Sequence, residues 1–254
     1  MTEEIWLRLL AAKRGERALA DAESAATALY GPLARATGPF VLAQIGQSLD
    51  GRVATPCGDA RDISGPDGIA HLHRCRALVD AVIVGIGTVK ADNPRLSVRA
   101  VAGDDPVRVV IDCQGELTGD EGLFHDDGAP VIVITSEAVE ERTLGRADVI
   151  RLCPDQGKLD PHAILKALSA RGLKRILVEG GGRTIARFIN AGLVDHLHVT
   201  IAPLIIGSGP MGLSLPPIEQ LASAIRPATK VYFLGSDTIF DCCLKASAAA
   251  ELAA

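Results

Sequence analysis

Between Ile176 and Gly192 the chain reads ILVEGGGRTIARFINAG: an apolar run ending in a glutamate, three glycines, and then helical spacing. A carboxylate closing a buried strand, Glu179, costs desolvation unless it binds something. Glycines let backbone approach a pyrophosphate closely, and the N-terminus of a helix offers unpaired N–H donors to the same anion. Side by side, the two features suit a dinucleotide held by amides and a hydroxyl-bearing ligand held by Glu179, whose carboxyl could also relay a proton. The competing reading is a tight strand–helix turn with Glu179 facing the positive end of the helix dipole. That turn accounts for one glycine better than for three.

Other residues could join this chemistry. Arg76 and Arg99 can offer the planar forks that a substrate phosphate wants, or can be solvated surface charges. GIGTVKADNPRL (85–96) begins like the dinucleotide fingerprint G-x-G-x-x-G, but its sixth position is Lys90 and the next strand-ending acid, Asp112, lies 25 residues past Gly87. It reads equally as a plain strand-to-turn transition. In AQIGQSLDGRVAT (43–55), Ser48 and Asp50 precede a Gly51 turn, as in an ordinary hairpin or a capping aspartate. His71 and His73 sit two apart on one helical segment, point to different faces, and are read as structural. The six cysteines, at 57, 75, 113, 153, 242 and 243, form no C-x-x-C; they imply neither a disulfide framework nor a zinc knuckle and are expected as reduced thiols in or near the core.

Elements that could position these groups alternate along the chain. Short runs rich in Val and Ile at 40–46, 81–86, 107–112, 130–135, 148–152 and 175–179 read as buried strands. Helical spacing occupies 66–78, 161–171 and 183–191, with Pro66 and Pro161 at first helical positions and Gly172 and Gly192 as stops. The tail changes character: 195–206, 229–235 and 238–244 read as strands with no helix between, the last two joined by a tight GSD turn. The fold class is α/β with an antiparallel edge. Residues 1–38 read as a helical extension ending in a linker, GPLARATGP; 39–246 form the main domain, and 247–254 a frayed tail.

The 254 residues are 48% hydrophobic with a net charge of −5, enough to bury a core and without a basic track for nucleic acid. The longest apolar runs reach about half of a ~20-residue membrane span. The charged N-terminus lacks a signal peptide's apolar stretch, so a cytoplasmic protein is expected.

Five segments in order carry a more specific signal: SLDGR (48–52), DAVIVGIGTVKADNPRLSVR (80–99), PVRVVID (106–112), LVEGG (177–181) and VDHLHVTIAPLIIG (194–207). Together they resemble the pyrimidine reductase family of riboflavin biosynthesis, often the C-terminal half of a bifunctional deaminase–reductase, over roughly residues 39–244. The resemblance implies a dihydrofolate-reductase-like fold: a mixed, mostly parallel sheet flanked by helices, in a homodimer. It implies NADPH-dependent reduction of 5-amino-6-(5-phosphoribosylamino)uracil, in which the ribosyl ring opens to an imine and hydride adds at C1′. Family cofactor positions fall on Gly46, Asp62, Thr88, Asp92, Gly181, Gly182, Arg183, Thr184, Ile185, Ala186 and Arg187, and substrate positions on Ala60, Arg76, Leu96, Arg99 and Glu179. Glu179 and Asp92 are the implied catalytic pair. Arg61, Arg183 and Arg187 are candidates for a cofactor 2′-phosphate.

Two departures qualify what the resemblance implies. The deaminase half would carry H-x-E and P-C-x-x-C for zinc; neither occurs, so a reductase alone is expected, with no catalytic metal. Where the family usually carries a Ser and then an aromatic, this chain has Ala60 and Asp62, losing a hydroxyl and a stacking face. A same-fold reductase of a pterin or another ribosylamino heterocycle, or a non-catalytic nucleotide-binding relative, are the alternative readings.

Overall fold

Fully apolar strand sequences need cover on both faces, and the sheet they build has it. The computed structural model describes residues 1–16 and 24–245; the expected tail at 247–254 lies outside them. The elements are α1 (Glu3–Lys13), α2 (Ala25–Arg35), β1 (Phe40–Ser48), α3 (Pro66–Leu78), β2 (Ala81–Gly85), α4 (Ile86–Asp92), β3 (Val107–Asp112), β4 (Val131–Ser136), β5 (Asp148–Leu152), α5 (Pro161–Ser169), β6 (Arg175–Glu179), α6 (Gly182–Asn190), β7 (His196–Ala202), β8 (Ala228–Leu234) and β9 (Asp237–Cys243). The sheet order is β5-β4-β3-β2-β6-β1-β7-β9-β8. Every pairing from β5 to β7 is parallel; β7–β9 and β8–β9 are antiparallel. This is the mixed, mostly parallel sheet with an antiparallel edge that the resemblance implies.

Alternation along each strand divides the core in two. Leu42, Val82, Val84 and Leu177 pack under α1, α2 and α3 with Trp6, Leu9, Leu29, Leu33 and Leu78. Val41, Ala43, Ile45, Ile83 and Val178 pack against α5 and α6 with Ile164, Leu168, Ile185 and Phe188. Thus α3, which follows β1, covers one face, and α6, which follows the neighbouring β6, covers the other. Where connections from adjacent strands diverge to opposite faces, a crevice opens at the carboxyl ends of those strands.

Local differences from the sequence reading have physical causes. The expected linker GPLARATGP is helical through Arg35, because a Ser24–Thr27 capping box starts α2 and its apolar side enters the core. The N-terminal helices are tied to the sheet domain: Lys13 Nζ donates to the Ala77 and Val79 carbonyls at 2.9 and 3.0 Å, ending α3, and Trp6 Nε1 donates to Ala102 O at 2.8 Å. The truncated fingerprint turns directly into helix α4, ended by Asn93 in the left-handed conformation (φ 40°). Cys75 and Cys242 are buried as expected, but Cys57 and Cys153 are exposed on loops. Among the described residues, no helix is long and apolar enough to cross a membrane.

Candidate active site

At the carboxyl end of β6 the three glycines have three different environments. Gly180 adopts φ +88°, and a Cβ there would lie 2.6 Å from Thr88 Oγ1. Gly181 N donates to that hydroxyl at 2.9 Å, which fastens the turn to α4. A side chain on Gly182 would run into the Gly212 carbonyl, so this glycine admits the loop before β8 rather than a ligand. Gly181 itself is exposed, and no side chain caps α6. An uncapped helix start led by an exposed glycine fits a cofactor diphosphate, with Arg183 exposed beside it.

Glu179 is 4% exposed, and its carboxylate is engaged by Arg76 of α3. Its Oε1 accepts from Arg76 Nη2 at 2.6 Å and its Oε2 from Arg76 Nε at 3.0 Å. Arg76 Nη1 donates to Ser97 O at 3.0 Å. Arg76, expected to receive a substrate phosphate, is instead a buried residue on α3 whose fork is taken up by Glu179 and a loop carbonyl. The helix fixes the acid because a carboxylate this deep requires a hydrogen-bonded counter-charge. Each oxygen keeps a lone pair for a further donor.

Glu179 begins a buried polar row. Glu179 on β6, Gln44 on β1, His198 on β7 and Asp241 on β9 stand directly opposite one another across four adjacent strands. All four are buried. No sequence pattern announced this row, since its members lie on separate strands and one face each.

The remaining expected residues scatter more widely. Arg99 is exposed; its guanidinium donates to Ser97 Oγ at 3.2 Å, while its amide donates to His73 Nδ1 at 3.0 Å. Leu96 takes φ +56° but buries its side chain in the core, leaving only backbone to face a ligand. Ile185 and Ala186 are likewise buried. Arg187 donates to the Leu159 carbonyl, away from the turn. Thr88 holds the turn and Gly46 lies against Ser64, where a Cβ would approach its hydroxyl to 3.0 Å. Ala60 is half-buried and Arg61 and Asp62 are exposed in the loop after β1, Asp62 with φ +59°. Asp92 is exposed at the end of α4, and desolvation raises its carboxyl above the ordinary range.

SLDGR and APLIIG, two motifs far apart in sequence, meet as one clamp. Ser48 Oγ donates to Asp50 Oδ1 at 2.6 Å, and Asp50 accepts from the amides of Ile206 and Gly207 at 3.1 and 2.7 Å. These bonds, the Ser48 hydroxyl foremost, hold the Asp50 carboxyl down at about 2. Arg52 pairs with Met211 in the same clamp, and Gly212 N donates to Gly51 O at 3.0 Å. The aspartate is therefore an interloop tie rather than a hairpin cap, and it sets the wall that meets Gly182.

Comparison with known proteins agrees with this geometry. The family described as RibD C-terminal domain matches residues 39–239. The chain is 35% identical over 216 residues to the 2,5-diamino-6-ribosylamino-4(3H)-pyrimidinone 5′-phosphate reductase of Methanothermobacter thermautotrophicus, covering 82% of this chain and 99% of that one. It is 33% identical to the riboflavin biosynthesis protein RibD of Aquifex aeolicus, over 79% of this chain but only 56% of the longer relative. Among solved structures, the deaminase/reductase of Thermotoga maritima superposes with a TM-score of 0.70 at 27% identity, over 85% of this chain and 60% of that one. The yeast riboflavin biosynthesis reductase Rib7 gives 0.66 at 25% identity, over 82% and 90%. A match spanning the sheet, the glycine turn and the Asp50 clamp places this chain in the RibD C-terminal domain family, as an oxidoreductase of riboflavin biosynthesis.

Proposed function

We propose that the protein reduces the ribosyl group of 5-amino-6-(5-phosphoribosylamino)uracil to the ribityl group with NADPH. The observation that carries this reading is the buried Glu179–Arg76 pair at the end of β6, followed at once by the uncapped, glycine-led start of α6. The amides of Gly182 and Arg183, at the uncapped start of α6, hold the cofactor diphosphate, and Arg183 and Arg61 are the exposed cations for a 2′-phosphate. NADPH supplies the hydride when bound. Glu179, oriented by Arg76, accepts hydroxyls of the opened ribose; Arg99 takes the substrate phosphate. Asp92, whose carboxyl is raised, holds the proton that accompanies reduction.

A second substrate differs only in carrying an amino group in place of the oxo group at C2 of the pyrimidine, the 2,5-diamino form for which the Methanothermobacter relative is named. Its support is that this chain covers nearly all of that relative. Single-turnover assays with NADPH, both ribosylaminopyrimidine phosphates and dihydrofolate test the reading. Oxidation with either pyrimidine and none with dihydrofolate supports it; the reverse pattern defeats it. NADPH preference is tested by titration against NADH, equal affinities removing the 2′-phosphate assignment.

The protein is further proposed to act in the cytoplasm as a homodimer. The edge strand β8 presents Val231 and Phe233 to solvent, Phe233 at 82% exposure, and the preceding loop exposes Ile205, Leu221 and Ile225. Such an apolar edge suits a second copy of the chain.

A further inference from the structure

The buried polar row passes under α3, and there a second cluster forms that the reductase chemistry does not use. His71 and Cys75 are four residues apart on α3, so both face the sheet from successive turns. His198 rises from β7 beneath them. All three are buried, His71 and Cys75 completely. His71 Nε2 lies 3.6 Å from Cys75 Sγ and 3.3 Å from His198 Nδ1, and Cys75 Sγ lies 4.0 Å from His198 Nδ1. Zinc–nitrogen and zinc–sulfur bonds of ~2.05 and ~2.3 Å at tetrahedral angles separate ligands by ~3.3 Å (N···N) and ~3.6 Å (N···S). The three ligand atoms already stand at close to that spacing.

The other nitrogen of each imidazole is held from outside. His71 Nδ1 is 2.8 Å from the Tyr30 hydroxyl, and His198 Nε2 is 3.5 Å from Asp241 Oδ1. Partners of this kind fix which ring nitrogen is left to bind a metal and how the ring is aimed. Burial lowers both histidines below their ordinary value and so favours the neutral ring that a ligand must be. Charge argues for a cation. A thiolate at Cys75 and the carboxylate of Asp241 behind His198 direct negative charge toward the ion, with Asp241 shared with His196, whose Nδ1 lies 2.6 Å from it. A narrow cleft lined by Tyr30, Leu33, Phe40, Leu42 and His196 reaches His198 from the side of α2.

We propose that His71 Nε2, Cys75 Sγ and His198 Nδ1 bind a divalent cation of the zinc class, fastening α3 to β7. The Cys75 proton leaves to solvent as the cation arrives, and the fourth coordination position goes to a water entering through the cleft. The site is separate from the reductase reading and stands or falls without it. It also differs from the zinc signature of deaminases, since its ligands come from a helix and a strand that only the fold brings together.

The full chain is stripped with chelator, incubated with Zn²⁺ or Co²⁺, desalted and assayed for metal. Retention of about one ion per chain, a thiolate-to-cobalt charge-transfer band, and a higher Tm with zinc than without are the expected results. The band should vanish in Cys75→Ala and persist in Cys57→Ala and Cys153→Ala, which alter only exposed thiols. Asp241→Asn should weaken zinc affinity by about 10–100-fold, the usual effect of losing a partner behind a ligand. A folded wild-type chain that retains no metal and shows no change in Tm overturns the proposal. So does a cobalt band that survives Cys75→Ala.

Discussion

Arg76 holds Glu179 by two parallel hydrogen bonds, Nη2 to Oε1 at 2.6 Å and Nε to Oε2 at 3.0 Å, with both side chains less than a tenth exposed. The pair joins α3 to the end of β6 across 103 residues of chain, so the acid of the candidate site is aimed by a helix from the connection between β1 and β2.

Removing one member therefore strands a buried charge. Arg76→Met should destabilise the protein by about 3–5 kcal/mol, whereas Arg76→Met combined with Glu179→Leu should recover much of that loss. Urea unfolding of the two variants checks this. Equal destabilisation of both would mean that the pair is not the source of the cost.

For Glu179→Gln the size persists, but the charge goes, and with it one of the two bonds from Arg76, because an amide NH2 cannot accept. Turnover should fall by roughly 10²-fold or more, with NADPH affinity nearly unchanged, because amides and not the carboxylate hold the diphosphate. Near-normal turnover would reduce Glu179 to a structural partner of Arg76. Loss of NADPH binding would make it an organiser of the glycine turn.

Arg99 is the arginine of the expected phosphate pair whose fork still faces solvent. Arg99→Ala should raise KM for the phosphorylated substrate by the equivalent of about 1.5–3 kcal/mol, and leave a dephosphorylated analogue little affected. A parallel loss with both substrates would show that the residue serves the fold, through the link between its backbone and His73.

Acid should loosen the protein before its carboxylates titrate. Burial, with Arg76 and Arg99 adding, depresses His73 from 6.5 to about 4, and burial also lowers His71 and His198. The unfolded chain thus takes up protons near pH 6.5 that the folded chain refuses. Stability is complete above that value and declines as pH falls from 6.5 toward 4. The urea midpoint of chelator-treated protein, measured from pH 7.5 to 4.5, should fall steadily through this range. A flat profile would mean these histidines are protonated when folded.

Phe233→Lys places a charge on the exposed edge of β8 without touching the sheet's core. It should shift the protein from dimer to monomer in light scattering and leave thermal unfolding at low concentration unchanged. A wild-type monomer at micromolar concentration would rule out the edge as a self-association surface.

Local patterns sufficed for the frame of the molecule. Runs such as AVIVG and RILVE, rich in Val and Ile and bounded by turn residues, read as buried strands, Pro66 and Pro161 start helices because their missing N–H costs nothing there, and five ordered motifs identified the family. The candidate site was legible as a list of residues but not as a set of contacts. Arg76 reads as a phosphate fork until β6 slots between β2 and β1 and presents Glu179 to it. Gly182 reads as ligand space until the Asp50 clamp brings Gly212 against it. His71 and Cys75 read as core residues until β7 sets His198 beneath them. Periodicity and end signals act over a few residues, so a sequence states them directly. Partnerships across more than 100 residues depend on strand order and register, which are set by packing all the elements at once.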